Sequence, residues 1–86
     1  MDQTTFKSTA KDILITSQLR TALILNKKTK ARNYTLETIN KKIYIFGIAM
    51  TKEERQEVVN EANKIYDVEK VIPSIYLASE LSRSKF

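Results

Sequence analysis

The chain has 86 residues, a formal net charge of +5, a single glycine, and no cysteine, histidine or tryptophan. That length fits one domain. The missing Cys and His remove a disulfide framework, an ordinary zinc or copper site, the commonest general base and the strongest nucleophile, and one glycine cannot build a phosphate-cradling loop. A non-enzymatic binding module with no cofactor is therefore expected.

The lead MDQTTFKSTAKD is polar and lacks the apolar core of a signal peptide, and the stretch ALILN is too short to span a membrane. A chain without cysteine fits either cytoplasm or periplasm. Residues 1–8 read as a flexible lead. Thr9 to Asp12 has the form of a capping box with Asp replacing Glu, so a helix is expected from there to about Asn26. Ile15, Leu19, Ala22 and Leu23 fall on one of its faces, with Ile13, Leu14, Ile24 and Leu25 widening that face or marking its margin.

The polar run KKTKARN connects to YTLETI, whose alternation and β-branched residues predict a strand. Asn40-Lys41 stands where a two-residue hairpin turn belongs. IYIFGIAM follows, apolar on both faces: Ile43, Ile45, Gly47 and Ala49 point one way, Tyr44, Phe46 and Ile48 the other. Gly47 is expected to lie where a helix crosses close to the strand. Thr51-Lys52-Glu53-Glu54 is a full capping box, so Thr51 and Glu54 are structural. The helix it opens should bury Val58, Val59, Ala62, Ile65 and Tyr66, with Glu53, Glu57, Glu61 and Lys64 in water. A last strand in VEKVIPSIYLA carries Pro73, which cannot donate to a ladder and places that strand at an edge. Residues 78–86 read as a polar tail. The expected fold is α+β, an αββαβ two-layer sandwich with two helices on one face of a three-stranded sheet.

These residues carry a resemblance. Asp12, Ile15, Thr16, Leu19 and Leu23, then Leu36, Thr38 and Asn40, then Ile43, Tyr44, Ile45, Gly47 and Ile48, then Thr51 and Glu54, and finally Val68 and Val71 stand in an order and spacing that resembles the BON domain. The likeness spans residues 9–77. That family occurs in bacterial osmotically inducible periplasmic proteins and in outer-membrane lipoproteins with two BON copies. The chain departs from it at Lys41, where the hairpin usually has Gly, and at Asp67, where Gly usually precedes the last strand. The resemblance implies the αββαβ sandwich, a periplasmic or outer-membrane setting, binding to anionic phospholipid, and no catalysis. A second BON domain or a homodimer is a further partner it allows.

Charge is unevenly spread. Residues 1–42 carry nine basic and three acidic side chains, residues 43–86 six and seven. Lys27, Lys28, Lys30, Arg32, Lys41 and Lys42 are candidate lipid-binding residues; they also fit a merely solvated loop. If Ile43 and Ile45 face the helices, then Tyr44, Phe46, Ile48, Ile72 and Tyr76, with Ile39, face outward. That face is either partly covered by the chain ends or a contact for lipid, an envelope protein or a second subunit. Tyr34, Tyr44, Phe46 and Tyr76 also suggest a stacking platform for a nucleic acid. No basic residue is interleaved with Tyr44, Phe46 and Ile48, so that partner is disfavoured.

Overall fold

Ile15, Leu19 and Leu23 recur at four-residue intervals, and all three are buried. Such spacing lines one side of a helix. The helix is α1, Gln3–Leu25; a 3-10 turn at Ala31–Asn33, β1 (Tyr34–Ile39), β2 (Lys42–Ala49), α2 (Lys52–Lys64), β3 (Lys70–Leu77) and α3 (Ala78–Arg83) follow. The computed structural model describes residues 3–83, with side chains described for residues 9–81. β1 pairs antiparallel with β2, β2 pairs parallel with β3, and the strand order is β1-β2-β3. The α+β sandwich is thus present. α1 lies over β1 and α2 over β3, and both meet the sheet through one core. No helix among the described residues is long and apolar enough to cross a membrane.

The core joins Leu19 and Leu23 of α1, Tyr34 and Leu36 of β1, Ile43, Ile45 and Ala49 of β2, Val58 and Ala62 of α2, and Ile75 and Leu77 of β3. The strands contribute alternate residues, as a half-covered sheet requires. Pro73 lies on β3, an edge strand, where its missing N–H breaks no central ladder. Asn40 and Lys41 take φ of 50° and 66°, the left-handed pair that closes a two-residue hairpin, and Asp67 takes φ 73° before β3.

Five expectations are corrected. α1 starts at Gln3, so residues 3–8 are helix and not a lead; Met1 and Asp2 lie outside the described residues. Asp12 does not cap α1, because its carboxylate accepts from the backbone of Asn40 and Lys41. Residues 78–83 form α3, where Glu80 accepts from the Leu77 N–H at 2.8 Å; the rest of the expected tail lies outside the described residues. Tyr66 is 87% exposed, because α2 ends at Lys64 and the chain turns away through Ile65. Gly47 is hemmed in most closely by the end of the 3-10 turn and the start of β1, where a crossing helix was expected. A Cβ there would meet the Asn33 carbonyl oxygen, and the Tyr34 ring at 2.6 Å.

Candidate interaction surface

The face of the sheet away from α1 and α2 is built by period-two alternation. Register places Lys42 beside Lys70, Tyr44 beside Ile72, Phe46 beside Ser74 and Ile48 beside Tyr76. On the other side of β2, Ile39, Glu37 and Thr35 stand next to Lys42, Tyr44 and Phe46. Phe46 is 46% exposed and Tyr76 59%; Ile39 and Ile48 are also exposed, while Tyr44 and Ile72 are half-buried among them. The structure thus brings together Tyr44, Phe46, Ile48, Ile72 and Tyr76, the interaction face expected from the sequence. Large apolar side chains left in water on one face cost free energy, which makes this face a candidate contact surface.

The candidate basic residues are not brought together. Lys27, Lys28, Lys30 and Arg32 lie between α1 and β1, whereas Lys41 and Lys42 sit at the hairpin tip. The length of β1 separates the groups by about 20 Å at roughly 3.3 Å per residue. Lys41 is engaged with Asp67, Nζ to Oδ2 3.4 Å, and Lys11 approaches the same carboxylate at 3.9 Å. Lys42 does stand on the outer face, at its hairpin end. Lys70, which the charge run did not single out, stands beside it. Only pairing register could have found Lys70, and the sequence does not state register.

Behind the sheet, Glu54 has a larger role than its capping box suggested. The Glu54 N–H donates to Thr51 Oγ1 at 3.0 Å, and the Glu54 carboxylate reaches back to the Met50 N–H at 2.9 Å. The same carboxylate, only 4% exposed, accepts from the Tyr34 hydroxyl at 2.8 Å and the Lys30 N–H at 3.1 Å. Burial works to raise its pKa, but the N–H of Met50, the Tyr34 hydroxyl, and the N–H and charge of Lys30 together hold it below the ordinary carboxylate value. Tyr34 moves the opposite way. Burial, then the hydrogen bond to Glu54 and that group's negative charge, push its hydroxyl well above the ordinary tyrosine value. Gly47 leaves the space in which the Tyr34 ring lies. The cluster ties α2, β1 and the basic connection into one unit.

Two other polar ties fix α1. Asp12 accepts from the Asn40 N–H at 2.8 Å and the Lys41 N–H at 2.9 Å, and the Thr16 and Thr38 hydroxyls are 2.7 Å apart. At its far end, Asn26 donates to Glu57 at 3.0 Å and Glu61 at 2.8 Å, and the Thr29 hydroxyl donates to the Leu23 carbonyl at 2.6 Å. Among the described residues no group of three or more acidic side chains could hold a metal ion.

No protein-family model matches the chain. It is 28% identical over 76 residues to a protein of Anaplasma centrale described as an "Uncharacterized protein in gshII 5'region". That match covers 88% of this chain, which spans about half the length of the relative, 50%.

Proposed function

We propose that the chain is a non-enzymatic binding module that docks peripherally on anionic phospholipid of the bacterial cell envelope, at the periplasmic or outer-membrane side. The observation that carries this reading is the exposed pair Phe46 and Tyr76 on the face away from α1 and α2, with Lys42 and Lys70 side by side at one end. Tyrosine partitions to the headgroup boundary, where its apolar body and polar tip are both accommodated, and phenylalanine buries its ring on the apolar side of that boundary. A lysine near an anionic surface contributes on the order of 1 kcal/mol. Two lysines and an apolar patch act as two signals, which together hold a peripheral protein on a bilayer more firmly than either alone. The resemblance to the BON domain supports the same ligand class and setting.

The test is co-sedimentation of the chain with phosphatidylcholine vesicles, with and without phosphatidylglycerol. Binding should require phosphatidylglycerol, weaken sharply with salt, and fall with Phe46→Ser. Equal binding to neutral vesicles, or none to either, overturns the reading.

A second reading has its own observation. Glu37 sits on the same face beside Tyr44, where a carboxylate opposes an anionic headgroup and suits a protein contact instead. In that case the outer face binds an envelope protein or a neighbouring domain, and binding should persist at high salt.

A further inference from the structure

We propose that β1 is the pairing edge of a symmetric dimer, in which β1 of two copies join antiparallel into one six-stranded sheet. This goes beyond the lipid reading and does not depend on it.

The sheet has two edges, and they differ. β3 carries Pro73 in mid-strand and begins at Lys70, both devices that discourage strand pairing. β1 reads YTLETI, with no proline and no basic residue. Its closing turn makes Ile39 and Lys42 a hydrogen-bonded pair. Alternate residues then follow. Ile39, Glu37 and Thr35 bond to β2, while Tyr34, Leu36 and Thr38 present N–H and C=O away from it. An open groove of about 720 Å³ lies between α1 and the hairpin half of β1, lined by Ile13, Thr16, Ser17, Leu36, Thr38 and Ile39 among others.

The occupant that fits is a second copy, because the edge complements itself. With the two-fold axis at Leu36, Leu36 pairs with Leu36 of the other copy through the outward backbone groups. Tyr34 then falls opposite Thr38 on the inner face, and Thr35 opposite Glu37 on the outer face. The register centred one residue further on sets Glu37 against Glu37, which like charge disfavours. α1 runs antiparallel to β1, with Asp12 at Asn40 and Thr16 at Thr38. Ile13 and Ile24 are both exposed, and eleven residues, close to three helical turns, place them on the same flank. Ile13 lines the groove, so that flank overhangs the edge. In the dimer, Ile13 of each copy approaches Ile24 of the other. The proline-bearing β3 edges remain outermost, so assembly closes at two copies.

Sedimentation velocity of the full chain without lipid tests this. The wild-type chain should dimerise with rising concentration. Thr35 is exposed on the outer face, so charged replacements spare the core. Thr35→Glu sets like charges across the new pair and should weaken the dimer roughly threefold to tenfold; Thr35→Lys should tighten it by about as much. The chain has no native cysteine. Thr35→Cys/Glu37→Cys places thiols at a non-hydrogen-bonded cross-strand pair and should give a covalent dimer on oxidation. A chain that stays monomeric at its highest soluble concentration overturns the proposal. So does a dimer that ignores both Thr35 substitutions and is broken by Phe46→Glu, which would assign the contact to the sheet face.

Discussion

Glu54 is the residue whose removal should cost most for its size. Its carboxylate accepts from Met50, Tyr34 and Lys30, donors on three different segments of the chain. Glu54→Ala leaves buried donors unmatched and should destabilise the domain by about 3 kcal/mol, a large part of the roughly 5 kcal/mol expected of a small domain. Urea denaturation reads this directly; a change below about 1 kcal/mol would contradict the hydrogen-bond assignment. The same cluster dictates a pH profile. The Glu54 pKa is depressed in the folded state, so its stabilisation is present above the ordinary value of 4.5 and is lost as pH falls through the lower folded value. The Tyr34 pKa is raised, so its contribution is present below the ordinary value of 10.0 and is lost as pH rises through the higher folded value. Urea midpoints measured across pH should fall on both flanks. Glu54→Gln should flatten the acid flank, and Tyr34→Phe the alkaline one. Gly47 belongs to this cluster too. Gly47→Ala drives a methyl into the Asn33 carbonyl and the Tyr34 ring and should cost about 2 kcal/mol, seen as a lowered melting temperature.

Among the elements, the β1–β2 hairpin depends on a partner remote in sequence. Asn40 and Lys41 both adopt positive φ, and Asp12 fastens the N–H of each. Asp12→Ala should therefore destabilise by about 1 kcal/mol, less than for a buried pair because this clamp is partly in solvent. The expected signature is faster amide exchange at Asn40 and Lys41, with the α2 amides unchanged. An exchange rate at the turn unaffected by the substitution would contradict the clamp. The hairpin itself was legible, because strand alternation on both sides of Asn40-Lys41 leaves room for a two-residue turn only. The edge position of β3 was legible for a comparable reason: Pro73 forbids a central ladder. The start of α1 was not. Thr9 to Asp12 satisfies a local capping rule, but the Asp12 side chain is taken by a turn 28 residues away. Local patterns cannot register that competition. The same limit applies at Gly47, where the pattern signals that space is needed but not that Tyr34 needs it.

At the scale of the molecule, the face of the sheet was readable and the placement of charge was not. Period-two alternation assigns Tyr44, Phe46 and Ile48 to one side of β2 once Ile43 and Ile45 are placed inward, and β3 follows by parity. Charge counted along the sequence instead merged Lys27, Lys28, Lys30 and Arg32 with Lys41 and Lys42, which the fold holds at opposite ends of β1. This separation allows a charge-matched experiment. Lys42→Glu/Lys70→Glu and Lys27→Glu/Lys28→Glu alter net charge equally, in different places. All four side chains are exposed, so neither pair should lower the melting temperature much. If docking uses the outer face, the Lys42/Lys70 variant should lose affinity for phosphatidylglycerol vesicles on the order of tenfold or more, since each lysine near the surface contributes about 1 kcal/mol. The Lys27/Lys28 variant should lose only the smaller part that acts through screened, long-range attraction. Equal losses would mean that net charge alone draws the protein to anionic surfaces, and the outer face would then be left to a protein partner.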